Sequence, residues 1–109
     1  MKAISEPPVT HRNASQSQIT ADIEYYYPEM ADLLICMVKK ESDYGKNMVG
    51  DHGLAIGYFQ IHIDKHPVSY TCAMDLKCSL DYTVKMIKQN KGFLWTTFEP
   101  CRKLVGFRP

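Results

Sequence analysis

The sequence predicts a small α+β domain that is mainly helical. Three observations carry that expectation: an apolar stripe at helical spacing over residues 30–41, a second one over residues 80–87, and between them a glycine-punctuated segment that alternates apolar with polar side chains. The chain has 109 residues, 45% of them hydrophobic and 23% charged. That length supports one hydrophobic core and no second domain, so any site must be a groove or shallow cleft on the surface. The apolar content is too high for a disordered chain, and no stretch approaches the roughly 18 uninterrupted apolar residues of a membrane-spanning helix.

Residues 1–17 are rich in Pro, Ser, Thr and Asn and read as a flexible lead-in, which leaves 18–109 for the domain. Order is expected from near Thr20, where Ile19, Ile23 and Tyr26 or Tyr27 recur at helical spacing until Pro28 breaks the run and opens the next helix. At about 100° per residue from Met30, the side chains of Leu33, Leu34, Met37 and Val38 fall within roughly 80° of one direction, with Asp32 and Lys39 opposite. Three glycines then stand in eight residues, Gly50, Gly53 and Gly57, and in the extended run that follows Phe59, Ile61 and Ile63 share one face while Tyr58, Gln60, His62 and Asp64 share the other. A loop with Cys72 and Cys78 comes after Pro67. Leu80, Thr83, Val84 and Ile87 mark a third helix, capped by Ser79 or Asp75 and stopped by Gly92, and a last helical stretch runs from Phe98 to Val105.

The formal charge of +1 hides an asymmetry, because residues 71–109 hold seven Lys/Arg against three Asp/Glu. Such a mildly basic third suits weak attraction to a polyanion, but it lacks the clustered footprint of a nucleic-acid binder. Four cysteines, Cys36, Cys72, Cys78 and Cys101, form an even set in a short chain and point to two disulfides and an extracytoplasmic setting, although residues 1–8 show no apolar export signal. Four free thiols in a cytosolic protein is the alternative. Of the three possible pairings, the expected one clasps Cys72 to Cys78 locally and bridges Cys36, which lies off the main stripe of its helix, to Cys101. His62, Asp64 and His66 alternate, yet along a strand such ligands stand about 7 Å apart, too far for one tetrahedral zinc. No metal and no cofactor is expected.

The second helix holds the candidate chemistry. Its wheel places Glu41 about 20° from Met30, on the buried stripe at the C-terminal end. Desolvation and the negative end of the helix dipole both disfavour the anion there, and a carboxyl kept protonated near neutrality is what a general acid requires. The alternative is a glutamate that frays into solvent beside Ser42-Asp43-Tyr44-Gly45.

Lys40-Glu41-Ser42, then Gly50-Asp51, then Gly57-Tyr58-Phe59-Gln60-Ile61 together resemble the lysozyme-like superfamily, in particular lytic transglycosylases and goose-type lysozymes. In those families a helix ending in Glu-Ser is followed by a variable loop and a Gly-x-x-Gln-[Ile/Val] segment. The match covers residues 30–64, and the later helix with Trp95 and Phe98 looks like the remainder of the domain. The resemblance implies a lysozyme-like fold whose short β-region forms a cleft. It implies cleavage of the β-1,4 bond between N-acetylmuramic acid and N-acetylglucosamine in peptidoglycan glycan strands by a secreted or periplasmic monomer. Glu41 would be the general acid and Asp51 the second carboxylate. If Asp51 stands about 6.5–9.5 Å from Glu41 it can activate water for inverting hydrolysis. If no carboxylate reaches, the C6 hydroxyl of the sugar attacks instead, as in a lytic transglycosylase, and a 1,6-anhydro product forms. Ser42, Gly57, Tyr58, Gln60, His62 and Tyr82 are the residues expected to position or bind substrate. The Ala-Tyr-Asn motif of many transglycosylases is absent, and Leu80-Asp81-Tyr82-Thr83 keeps only its tyrosine. A catalytically silent, sugar-binding lysozyme-like protein is the remaining alternative.

Overall fold

A computed structural model of the chain describes residues 14–108. Five helices and one small sheet make up these residues: α1 (Gln16–Tyr26), α2 (Ala31–Ser42), β1 (Val49–Gly50), β2 (Ala55–Ile56), β3 (Ile61–His62), α3 (Tyr70–Met74), α4 (Leu76–Lys88) and α5 (Phe98–Val105). The fold is thus mainly helical with an antiparallel sheet in the order β1-β2-β3. Most of the lead-in expected over residues 1–17 lies outside the described residues. Within them, Ser15 caps α1 by accepting the Gln18 N–H at 3.2 Å, and the helix begins at Gln16 rather than near Thr20.

Ile19 and Ile23 turn from α1 into the core, where Leu33, Leu34, Met37 and Val38 of α2 meet Leu76, Leu80, Val84 and Ile87 of α4. Asp32 and Lys39 stay in solvent, as the helical wheel requires. Pro28 opens a single 3-10 turn, Pro28–Met30, that leads into α2. Helices α1 and α4 are also tied at their rims. The Tyr27 hydroxyl donates to Asp81 Oδ1 at 2.6 Å, Lys77 Nζ meets Asp81 Oδ2 at 2.6 Å, and the same ammonium stands 4.7 Å from the Tyr26 ring centroid. Burial and the Asp81 contact hold the Tyr27 phenol well above its ordinary range.

Two sequence expectations are corrected and one open alternative is resolved. The loop after Pro67 contains a helix, α3, which Ser69 starts by accepting the Cys72 N–H at 3.0 Å. Of the two candidate caps for α4, Asp75 serves, accepting the Cys78 N–H at 2.8 Å, while Ser79 lies inside the helix and bonds back to the carbonyls of Asp75 and Leu76. Gly92 does not stop α4, which ends at Lys88 with Asn90 in the left-handed region (φ 61°); Gly92 opens the 3-10 turn Gly92–Leu94 and lies against the Phe98 ring.

The extended run is also shorter than its alternation suggests. Gly57 (φ 86°) and Gln60 (φ 49°) are left-handed, and residues 57–60 form the turn that joins β2 to β3. Tyr58 and Phe59 therefore do not fall on opposite faces, and both are completely buried. At Gly57 a Cβ would stand 1.7 Å from the Ala73 carbonyl oxygen of α3, so no side chain fits there. The Trp95 indole N–H donates to the Phe59 carbonyl at 2.8 Å, fastening the segment before α5 to the same turn.

The cysteines pair as Cys36–Cys101, bridging α2 to α5 with Cα atoms 5.7 Å apart, and Cys72–Cys78, clasping α3 to α4 at 5.1 Å. Chain-entropy arithmetic on the separations of 65 and 6 residues assigns about 4 kcal/mol to the first bridge and about 2 kcal/mol to the second. Urea unfolding should therefore show the larger loss for the variant with Cys36→Ser and Cys101→Ser; an equal or smaller loss than for Cys72→Ser with Cys78→Ser would contradict the assignment.

Candidate active site

Glu41 occupies the next-to-last position of α2, after the buried Leu34, Met37 and Val38 have used the inward face. The chain leaves the helix through Asp43 and Tyr44, both left-handed, and Ser42 makes that exit possible. The Ser42 side chain is wholly buried, donates to the Val38 carbonyl at 3.3 Å and accepts the Gly45 N–H at 2.9 Å. Its hydroxyl thus shapes the end of the helix and is turned away from solvent. Glu41 is partly buried, and the Thr97 hydroxyl donates to its Oε2 at 2.5 Å. Burial raises the carboxyl above its ordinary 4.5, whereas the Thr97 hydrogen bond and the nearby His62 pull it down; desolvation is the largest of the three. Glu41 does not fray into solvent, because a residue 56 positions away holds it.

Asp51 stands at the edge of the sheet, exposed and with a left-handed backbone (φ 50°) that aspartate tolerates better than most residues. Its Oδ2 lies 3.4 Å from His62 Nε2. His62, on β3, therefore touches one candidate carboxylate and acts electrostatically on the other. The ring's second nitrogen, Nδ1, is buried and has no hydrogen-bond partner among the described residues. His62 thus presents one ring nitrogen to Asp51 and keeps the other inside the fold.

Beyond His62 opens a cleft of about 540 Å³, lined by residues that include Lys65, His66, Tyr82, Met86 and Lys91. Its size falls within the roughly 300–1,000 Å³ typical of small-molecule sites. The chain turns at residues 63–66 instead of continuing as a strand, with the His66 N–H bonded to the His62 carbonyl, and this turn brings the second histidine to the wall. His66 Nδ1 and the Tyr82 hydroxyl are 2.5 Å apart, and both rings pack beside Trp95, with centroids 6.1 and 6.4 Å from it. Burial, chiefly, holds His66 below its ordinary 6.5 and Tyr82 above its ordinary 10.0, so near neutrality the pair meets as two uncharged groups.

The other expected site residues divide clearly. Tyr58 has no face open to a sugar: it is fully buried, and its hydroxyl accepts the Ala14 N–H at 3.2 Å, tying the start of the described chain to the core. The reading of Tyr58 as a substrate contact is therefore corrected. Gly57 is buried against α3 and is likewise a packing residue, not a groove floor. Gln60 directs its amide nitrogen to the carbonyls of Gly57 at 3.0 Å and Asn47 at 3.3 Å, and its Oε1 lies close over Gly50. It clamps the loop before β1 onto the β2–β3 turn. His62 and Tyr82 alone among the expected binding residues line the cleft. Thr97 was not legible in the sequence, since no local pattern marks a threonine that bonds a distant carboxyl.

The arrangement brings together a carboxyl biased towards its protonated form, a second carboxylate on a histidine, and an adjoining cleft walled by aromatic and cationic groups. A raised folded-state pKa means that the native state holds its proton more tightly than the unfolded chain. The associated stability is fully present at low pH and declines as pH rises through the raised value. Replacing Glu41 by Gln removes that decline. Thermal melts from below pH 4.5 towards neutrality should show Glu41→Gln gaining on the wild type as pH rises; parallel curves would refute the raised pKa. Compared with known proteins, the chain matches no family model, no curated protein and no solved structure.

Proposed function

We propose that the protein is a glycosidase of peptidoglycan, a lysozyme, in which Glu41 protonates the departing oxygen of the β-1,4 bond between N-acetylmuramic acid and N-acetylglucosamine. The observation that carries the reading is the Glu41 carboxyl itself: partly buried at a helix C-terminus, raised by desolvation and steadied by Thr97. A general acid must hold a proton until oxocarbenium character develops on the sugar, and this environment favours the protonated form. Thr97 is a positioning residue that fixes Oε2 of the acid. Asp51, oriented by His62, is the base for the attacking water. The two disulfides suit an oxidising, extracytoplasmic setting.

A lytic transglycosylase is the second reading, and the Asp51–His62 contact favours it to a degree, since a carboxylate engaged by a histidine is a poorer base for water. The two reactions give different products. Mass spectrometry of released muropeptides separates a hydrolytic reducing end from an anhydro end by one water.

On a peptidoglycan zymogram, Glu41→Gln should lose about 10²–10⁴-fold in clearing, the usual worth of a general acid. Equal clearing by the variant, or none by the wild type, overturns the proposal. Thr97→Val removes a hydrogen bond that lowers the Glu41 pKa, so the alkaline limb of the pH–rate profile should move upward with the fold intact; an unmoved limb would show that Thr97 is only structural.

A further inference from the structure

The cleft beside His62 has a one-sided charge. Lys65 and Lys91 line it, no acidic residue does, and neither lysine is paired with a carboxylate among the described residues. Asp64, next to Lys65 in the chain, acts on His66 but does not line the cleft. Met86 and the Tyr82 and His66 rings line the same cleft and offer apolar and aromatic faces of the kind that pack on a pyranose ring. Lysine is a mobile point charge, suited to one compact anionic group rather than to bidentate recognition. A nucleic acid or another long polyanion would call for a stripe of cations to neutralise successive phosphates, and the cleft has two.

We infer that this cleft is a subsite for a muramyl sugar whose lactyl-linked peptide ends in a carboxylate, in which Lys65 and Lys91 engage that carboxylate while the His66–Tyr82 face packs on the ring. The inference rests on the proposed peptidoglycan substrate and adds to it a basis for selecting muramyl over unsubstituted sugars. A neutral chitin-type oligomer fits the same apolar surface but leaves both ammonium groups without a partner. The selectivity is electrostatic and must weaken with salt.

Binding tests it without requiring turnover. N-acetylmuramyl-L-alanyl-D-isoglutamine and the neutral trimer of N-acetylglucosamine are titrated into the full chain and followed by NMR. The wild type should prefer the muramyl ligand, with the largest shifts at His66, Tyr82 and Met86. Lys65→Met and Lys91→Met should each weaken that ligand by about fivefold at low salt, the upper range for an exposed charge pair, and leave the neutral trimer unchanged. The corresponding Arg variants should keep the preference. Equal binding of both ligands by the wild type, binding of neither, or a double Met variant that binds as the wild type does overturns the inference. Cleavage assays separate the two proposals. Lysine-dependent binding without wall cleavage leaves the subsite standing and defeats the glycosidase, whereas normal wall cleavage by the double Met variant does the reverse.

Discussion

The turn from Gly57 to Gln60 is the constraint on which the rest of the structure depends. The backbone of Gly57 presses on the Ala73 carbonyl of α3 in a conformation only glycine adopts without strain, and that contact sets how closely the sheet approaches the helices. Four consequences follow from the same few residues. Tyr58 and Phe59 enter the core together, the Phe59 carbonyl receives the Trp95 indole, the Tyr58 hydroxyl receives Ala14, and β3 starts in the register that presents His62. With Trp95 fixed, Thr97 two residues later reaches Glu41. The hairpin turn, the segment before α5 and the end of α2 are therefore one mechanical unit.

The candidate acid shows a tension between stability and chemistry. A carboxyl at the C-terminal end of a helix meets the negative pole of the backbone dipoles, and burial compounds the penalty. A leucine on the same stripe would pack at no such cost. Thr97 offsets part of the penalty with one hydrogen bond and His62 offsets a smaller part electrostatically, yet together they do not cancel the desolvation. The surroundings must then be rigid enough to keep the group in place. The Cys36–Cys101 bridge joins α2 directly to α5, the two elements that bear or adjoin Glu41 and Thr97, so the longer cross-link stabilises the fold and braces the site together. Small domains need such staples because their cores bury little surface.

Much of the helical framework is legible in the sequence, and for a physical reason. The stripe on α2, the Leu80–Ile87 stripe on α4 and the bounds of α5 depend on near-neighbour periodicity, which survives whatever the rest of the chain does. The buried placement of Glu41 is legible by the same logic. Alternation misleads after Gly57, because two left-handed residues convert an apparent strand into a turn and send both aromatics inward. Helix α3 escapes notice because five residues hold too few turns for a periodic pattern, and only the Ser69 cap hints at it.

The sequence by itself determined that a carboxylate would sit on the buried face at the end of a helix, that a glycine-rich segment would follow it, and that four cysteines would be available as cross-links. Tertiary structure alone decided which groups meet that carboxylate. Thr97 lies 56 residues away, His62 couples Glu41 to Asp51 across the sheet, and the basic cleft draws residues from β3, α4 and the segment between α4 and α5. Such encounters are set by the close approach of packed elements, which the Gly57 contact controls, and no repeat or spacing along the chain encodes them.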